Sequence, residues 1–307
     1  MISYLQAIVI GLLQGVTELF PVSSLGHSVL VPAWLGGSWE PLVTQSATST
    51  SDQSPYLAFI VALHVATAIA LLIFFWNDWK RIIVAFLRSL GPSLRERRLV
   101  ADDSSTRLAW LIVFATIPVG ITGLLLEHTF RTLFAKPLAV SIFLTINGVV
   151  LYAGELLRRR ATVSVTTVGG QVQETAAAGR RRTEQLGYRE VGIIGLFQTF
   201  ALLAGISRSG ITMVGGLLRG LTHEDAARFS FLLATPVIFA AGMLKLPVLL
   251  GPAGAAIHGQ VIVGAVVAGV AAYVSVRFLV RWFQTRTLTP FAIYCLIAGI
   301  ASIIRFA

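Results

Sequence analysis

Residues 14–27, which read Q-G-V-T-E-L-F-P-V-S-S-L-G-H, constrain the fold most, because they place polar and ionisable groups inside a long apolar sequence. An ionisable side chain at membrane depth needs a partner, a water-filled cavity or a substrate to offset its desolvation. Gln14 and Glu18 are four residues apart, so they share one face of a helix. The segment therefore marks a functional site within an apolar fold.

Pro21 predicts a break in this segment. Proline lacks an amide hydrogen and does not continue a helix comfortably, so the break is expected near residues 20–22. Ser23 or Ser24 is a good N-cap for a second helix, in which His27 falls in the first turn. The segment is thus predicted to be a broken helix with its polar atoms gathered at the break.

The composition is that of an integral membrane protein. Of the 307 residues 55% are hydrophobic and only 12% are charged, and the mean hydropathy is +0.79. A soluble globule of this size needs more polar surface. The net charge of +10 comes from Lys and Arg residues that lie mainly in loops, which indicates the positive-inside bias rather than nucleic-acid binding. Cys295 is the single cysteine, so there is no disulfide framework and no cysteine-based metal site.

The hydropathy pattern predicts an all-α polytopic membrane protein with about six transmembrane helices and two re-entrant helical hairpins. The halves of residues 2–35 are each too short to cross a hydrocarbon core of roughly 30 Å, so a re-entrant hairpin is the economical interpretation. Basic loops at residues 80–107 and 158–189 are assigned to the cytoplasm, and the loop at residues 36–55 to the outside. The expected spans are residues 56–76, 108–126, 137–157, 229–250, 257–280 and 291–304.

Residues 191–221 repeat the opening pattern, with a break at Gly205 followed by S-R-S-G-I-T. An odd number of crossings separates the two segments, so the halves are predicted to be inverted repeats, residues 1–157 and 190–307, joined by a linker at 158–189 in one membrane domain. The two broken segments align without gaps, and the aligned pairs are Gln14 with Gln198, Ser23 with Ser207, Ser24 with Arg208, and Gly26 with Gly210. The terminal spans match loosely, with P-L-A-V-S at residues 137–141 against P-F-A-I-Y at residues 290–294.

Inverted repeats with broken helices place a site near the bilayer midplane, where the N-termini of half-helices converge. A helix N-terminus offers free amide hydrogens and partial positive charge, which suit phosphate. Arg208 adds a cation whose planar fork matches phosphate oxygens. The predicted ligand is therefore a phosphorylated, lipid-borne substrate.

Residues 14–27, together with G-I-S-R-S-G-I-T at residues 205–212, closely resemble the bacterial undecaprenyl-pyrophosphate phosphatase family, also called the bacitracin resistance protein family. The resemblance extends through P-F-A-I-Y at residues 290–294. It implies hydrolysis of a polyprenyl diphosphate lipid, undecaprenyl diphosphate, to the monophosphate carrier of cell-wall synthesis, in the bacterial inner membrane. A divalent cation, Mg²⁺ or Ca²⁺, is implied as cofactor, and an assembly of identical chains is left open.

The resemblance also assigns roles to residues. The acidic motif is carried by Gln14 and Glu18, with Glu18 as the metal ligand, although many members have Glu in place of Gln14. The implied catalytic residues are Glu18, Ser24, His27 and Arg208. The implied substrate-binding residues are Gln14, Ser23, Ser207, Ser209 and Thr212.

The mechanism hypothesis leaves open whether Ser24, His27 or water is the nucleophile. Ser24 attacks the terminal phosphorus or positions the attacking water, and His27 is the general base or the acid for the leaving group. Glu18 orients His27 or holds the cation. Arg208 stabilises charge on the transferring phosphoryl group.

Each assignment has a structural alternative. Glu18 could simply pair with Arg208 across the repeat interface, and Ser23 or Ser209 could only cap helices. A histidine within a spanning helix, such as His64, is more often a hydrogen-bonded interior residue than part of a site. Glu155 lies near a helix end and is expected at the membrane interface. For the whole protein, the rival function is a lipid transporter or flippase, because transporters also use inverted repeats with broken helices.

Overall fold

The computed structural model describes residues 2–42, 55–134, 136–162, 166–168, 171–173, 182–251 and 257–307. These residues are mainly α-helical, which confirms the predicted fold class. The helices are α1 Tyr4–Thr17, α2 Ser24–Leu35, α3 Pro55–Phe74, α4 Trp76–Glu96, α5 Ser104–Phe134, α6 Pro137–Thr162, α7 Tyr188–Phe197, α8 Arg208–Leu218, α9 His223–Leu250, α10 His258–Thr285 and α11 Thr289–Phe306. Short 3₁₀ helices cover Gly37–Trp39, Thr183–Gln185 and Gln198–Leu202.

The linker between the predicted repeats contains a short antiparallel pair of strands. Strand β1, Thr166–Val168, pairs with β2, Gln171–Gln173, and Thr166 lies opposite Gln173. Most of the predicted outer loop at residues 36–55 and much of the linker lie outside the described residues.

Five of the described helices are long and apolar enough to cross a membrane, or six if α3 and α4, which are bent by 86°, count as one broken span. Large apolar side chains stay exposed along them. On α10 such residues recur every fourth position and are at least 60% exposed: Ile262, Val266, Val270 and Val274. A continuous apolar stripe of this kind faces lipid rather than water. The chain is an integral membrane protein.

Both predicted breaks are present. Helix α1 ends at Thr17 and α2 begins at Ser24, while the second break runs through the 3₁₀ helix Gln198–Leu202 to the start of α8. The four half-helices have 10 to 14 residues, so at 1.5 Å per residue each is shorter than a hydrocarbon core of roughly 30 Å. The re-entrant path and the inverted relation of the two halves stay predictions.

Helices from the two halves pack against each other. Helix α1 contacts α10, and α6 contacts α11. Glycines allow the first contact, because a Cβ on Gly15 would lie 2.4 Å from the carbonyl oxygen of Ala268, and a Cβ on Gly11 would lie 2.6 Å from that of Gly264. Small residues that let backbones approach closely are typical of helix contacts within membranes.

Helix α4 replaces the predicted basic loop that follows the first span. Its buried face carries Trp79 and Ile82, and two other faces are exposed. One exposed face is apolar and the other basic: Ile83, Leu87 and Leu94 on the first, Lys80, Arg88 and Arg95 on the second. A helix that turns away from a spanning helix and has such faces is suited to the membrane surface.

Helix α5 begins beside the basic face of α4. The amides of Ser105 and Thr106 donate hydrogen bonds to Asp103 at 2.8 and 2.9 Å, which caps the helix. Hydrogen bonds, first of all from the Thr106 hydroxyl, lower the pKa of the Asp103 carboxyl. A cleft of about 820 Å³ lies between this cap and α4, and Lys80 and Arg88 line it.

Candidate active site

Ser23 joins the two breaks. Its φ of 72° is uncommon for a residue with a side chain and persists only where the surroundings impose it. Its hydroxyl oxygen accepts hydrogen bonds from the amide of Gly26 at 3.2 Å and from the amide of Gly205 at 3.1 Å. Ser23 is therefore the predicted N-cap of α2 and also the contact between the two broken segments.

Gly205 allows the second break to lie this close. Its φ is +112°, and a Cβ at this position would lie 2.6 Å from the carbonyl oxygen of Val140 on α6. A Cβ on Gly26 would lie 3.1 Å from the Cα atom of Gly205. Since a side chain would clash here, glycine is required where the two breaks meet.

Asn147 on α6 binds both breaks at once. Its Oδ1 accepts a hydrogen bond from the amide of Ser207 at 2.9 Å, and its Nδ2 donates to the carbonyl oxygen of Pro21 at 3.0 Å. The side chain is buried. The sequence analysis missed this residue, although a lone amide inside an apolar span is itself a signal, since such a group needs polar partners.

Glu18 is the centre of the polar cluster. Its Oε2 accepts hydrogen bonds from the Ser24 hydroxyl at 2.5 Å and from Gln14 Nε2 at 3.0 Å. Its Oε1 accepts from Arg208 Nη2 at 2.8 Å, and His64 Nε2 lies 3.4 Å from Oε2. The ion pair proposed as the structural alternative is thus present, in the same cluster as the predicted nucleophile. His64 belongs to the cluster as well.

The N-termini of two half-helices converge on this carboxylate. Ser24 is the first residue of α2 and Arg208 is the first residue of α8, and both bond to Glu18. Ser207 caps α8 by accepting a hydrogen bond from the amide of Gly210 at 3.1 Å. The free amides of both helices and the guanidinium make this region favourable for an anion.

The other predicted substrate-binding hydroxyls bond within the protein. The hydroxyls of Ser207 and Ser209 lie 3.0 Å apart, and Ser209 also donates to the carbonyl oxygen of Phe20 at 3.3 Å. Thr212 donates to the carbonyl oxygen of Arg208 at 2.7 Å, within its own helix. These contacts agree with a capping role, and a role in substrate binding stays a prediction.

The two aligned glutamines each retain an oxygen without a partner. Gln14 Oε1 and Gln198 Oε1 are buried and accept no hydrogen bond within the described part of the chain. The side-chain nitrogen of Gln14 donates a hydrogen bond to Glu18. The side-chain nitrogen of Gln198 donates to the carbonyl oxygen of Ala115 at 3.1 Å. A buried acceptor of this kind calls for a ligand or water. At Gln14 it lies beside the site carboxylate.

His27 is oriented by residues other than Glu18. Its Nδ1 lies 2.7 Å from the carbonyl oxygen of Ser23, and its Nε2 lies 2.7 Å from the hydroxyl of Tyr294 on α11. The hypothesis that Glu18 orients His27 is therefore replaced by orientation through Ser23 and Tyr294. Tyr294 was part of the P-F-A-I-Y sequence, but nothing local to that motif indicates its partner.

Glu155 is buried within the protein, and its predicted position at the membrane interface stays a prediction. His223 Nε2 lies 2.8 Å from its Oε2, and Arg159 Nε lies 3.7 Å from its Oε1. Arg158 Nη1 lies 3.0 Å from His223 Nδ1. These residues form a separate polar cluster where α6 ends and α9 begins.

Known proteins match the chain over nearly its whole length. The family model described as bacitracin resistance protein BacA matches residues 7–301. The chain is 61% identical to Undecaprenyl-diphosphatase 2 of Frankia alni and 57% identical to Undecaprenyl-diphosphatase of Mycolicibacterium paratuberculosis, in each case over 100% of this chain and 98% of the relative. It is 40% identical to Undecaprenyl-diphosphatase 2 of Chromobacterium violaceum, over 98% of both chains.

Proposed function

Because the chain belongs to the bacitracin resistance protein BacA family, we infer that it is an undecaprenyl-diphosphatase. It hydrolyses undecaprenyl diphosphate to undecaprenyl phosphate and inorganic phosphate, which serves cell-wall synthesis and bacitracin resistance. The observation that carries the residue assignment is the position of Glu18, which bonds to both Ser24 and Arg208 where α2 and α8 begin. We place the protein in the bacterial inner membrane, with the lipid substrate reaching the site from the bilayer.

Glu18 is the group that can take the proton from Ser24, since their oxygens are 2.5 Å apart. In the covalent route, Ser24 Oγ attacks the terminal phosphorus as its proton passes to Glu18. The bond from that phosphorus to the bridging oxygen breaks, and undecaprenyl phosphate leaves with the electron pair. Water then cleaves the phosphoserine and releases inorganic phosphate. In the direct route Ser24 instead holds the attacking water.

Arg208 stabilises the charge on the transferring phosphoryl group. Its guanidinium is 13% exposed and uses one nitrogen for Glu18. A phosphate oxygen can replace Glu18 at this nitrogen, or it can accept a hydrogen bond from the guanidinium alongside Glu18. Fixed donors in a site with little water act strongly on developing charge, because they need no reorganisation during the reaction.

The residues present fit a divalent cation only together with the substrate. No group of three or more His, Cys, Asp or Glu side chains within the described ranges is arranged to hold a metal. The unpartnered Oε1 of Gln14 and the carboxylate of Glu18 could hold Mg²⁺ or Ca²⁺ if diphosphate oxygens supply the other ligands. When bound, such an ion neutralises charge on the diphosphate.

The cation is tested by chelation. Removing divalent ions with a chelator should lower phosphate release, and returning Mg²⁺ or Ca²⁺ should restore it. Full activity in the chelator would contradict the proposed ion.

The proposed function is tested with purified protein in detergent. The wild type should release inorganic phosphate from undecaprenyl diphosphate, and Glu18→Ala and Arg208→Ala should each lower the rate about a hundredfold or more. Arg277→Ala, which removes an arginine of α10 outside the polar cluster, is the matched control, and thermal unfolding checks folding. A transporter without hydrolase activity would release no phosphate here, so a silent wild type would overturn the proposal.

A further inference from the structure

The two hydrogen bonds of His27 determine which ring nitrogen carries the proton. Its Nδ1 lies 2.7 Å from the carbonyl oxygen of Ser23, and a carbonyl oxygen only accepts. Nδ1 is therefore the protonated nitrogen of the neutral ring. Nε2 then presents its lone pair to the hydroxyl of Tyr294, 2.7 Å away, and that hydroxyl donates.

The Tyr294 ring also lies beside the imidazole, nearly parallel to it. The two rings are stacked, with centroids 5.7 Å apart and planes at 14°. His27 is 5% exposed, whereas Tyr294 is 46% exposed. The tyrosine is thus the more exposed member of the pair, and its hydroxyl is bonded to the basic nitrogen of the histidine.

This contact belongs to only one of the two aligned halves. In the alignment of the terminal spans, Tyr294 on α11 corresponds to Ser141 on α6. The Ser141 hydroxyl donates to the carbonyl oxygen of Pro137 at 2.6 Å, within its own helix. Likewise His27 corresponds to Ile211 when Gln14 is aligned with Gln198. The histidine of the first half is therefore bonded to a tyrosine of the second half. The aligned positions, Ile211 and Ser141, do not form the equivalent pair.

We propose that Tyr294 is a positioning residue for His27 in the hydrolysis reaction. It keeps Nε2 as the basic atom and gives up this nitrogen to the substrate or to water when the diphosphate binds. A phenol oxygen can also accept a hydrogen bond, so Tyr294 can serve His27 again once Nε2 carries a proton. This inference rests on the proposed function. Glu18 remains the acceptor of the Ser24 proton. His27 then acts in a later proton transfer of the reaction.

The substitution Tyr294→Phe removes the hydroxyl and keeps the ring. We expect kcat for phosphate release to fall about tenfold with KM nearly unchanged, as for loss of one positioning hydrogen bond. In a His27→Asn background the same substitution should cause no further loss. Tyr273→Phe is the control, because Tyr273 is also partly exposed and makes a ring contact with Phe74, and it should retain the wild-type rate.

A measurement that does not depend on activity is nitrogen NMR of ¹⁵N-histidine protein, with the His27 signals assigned from the His27→Asn variant. The wild type should show His27 protonated at Nδ1, and its Nε2 signal should move in Tyr294→Phe but not in Tyr273→Phe. The inference is overturned if Tyr294→Phe keeps the wild-type kcat, if it loses the same factor in the His27→Asn background, or if Nε2 carries the proton in the neutral wild-type ring. A wild type that releases no phosphate overturns the proposed function instead, and the NMR result then decides the His27 tautomer alone.

Discussion

At the scale of single residues, the partners of Glu18 both stabilise its buried carboxylate and give it a role in phosphoryl transfer. Gln14 and Ser24 are its neighbours in sequence, whereas Arg208 lies 190 residues away. An ionised carboxylate in an apolar interior is stable only when its oxygens are paired. The pairing that stabilises Glu18 also places an acceptor beside a hydroxyl and a cation, which is what phosphoryl transfer needs.

Asn147 should be necessary for the geometry of the site although it is not one of the predicted site residues. Asn147→Leu leaves the Ser207 amide without its acceptor, and the Pro21 carbonyl loses its amide donor and retains the Cys295 thiol at 3.8 Å. Each unpaired buried group costs about 1–3 kcal/mol, so we expect a lower thermal unfolding midpoint and reduced phosphate release. Both are measured on purified protein.

Thr116→Val is the matched control for this substitution. The Thr116 hydroxyl donates to the carbonyl oxygen of Ile112, in its own helix and outside the polar cluster, so its loss should leave activity unchanged. Wild-type stability and activity in Asn147→Leu would show that the two breaks hold their positions without this amide.

Residues with a local signal could be predicted, and residues paired over distance could not. A serine after a proline break indicates a cap, and a carboxylate in an apolar run indicates a site, so Ser23 and Glu18 were identified. Tyr294 and Asn147 look like ordinary members of spanning helices. Their partners become known only when helices α6 and α11 are placed against the breaks.

At the scale of helices, the contact of α1 with α10 should tolerate no side chain at Gly15. Gly15→Ala puts a Cβ 2.4 Å from the carbonyl oxygen of Ala268, so the helices must separate. Overpacking of this kind costs about 1–3 kcal/mol, and α1 carries Gln14 and leads to Glu18. We expect a lower unfolding midpoint and lower activity, measured by thermal unfolding and phosphate release.

Gly120→Ala provides the comparison, since a Cβ on Gly120 of α5 meets no atom within 4 Å. There alanine should be neutral or stabilising by up to about 1 kcal/mol, because it is the better helix former. If both alanine variants behaved alike, close approach of α1 to α10 would not be the reason for glycine at position 15.

Helix α4 and the partner of Glu155 were missed for the same reason. A run of basic residues was interpreted as a loop, but in α4 they occupy one face of a helix whose other faces are apolar. Glu155 lies near a helix end, and nothing in that position indicates its bond to His223, 68 residues further on. In both cases the structure depends on residues that are close in space but distant in sequence, and the local sequence pattern does not show them.

For the whole molecule, the predicted path places Ser38 and Thr167 on opposite sides of the membrane. Helices α3, α5 and α6 separate these residues, and three crossings reverse the side. In intact cells a membrane-impermeant maleimide should label Ser38→Cys, whereas Thr167→Cys and Arg88→Cys should react only after permeabilisation. Cys295 is buried, so the unmodified chain supplies the low-background control.

Labelling of Ser38→Cys and Thr167→Cys from the same side would contradict the path. The sequence predicted the positions of the spans and both breaks, because apolar length, proline, glycine and serine caps act locally. It did not predict how α1 packs on α10 and α6 on α11, since that depends on shape complementarity between distant segments.

The separation of Glu18 from Arg208 has a consequence for the growing polypeptide. Ribosomes add roughly 5–20 residues per second, so the arginine is added about ten to forty seconds after the glutamate. Throughout that interval Glu18 can pair with Gln14, Ser24 and His64, but the guanidinium of Arg208 does not yet exist. A translation product that ends before residue 208 therefore lacks one of the residues proposed to act on the diphosphate.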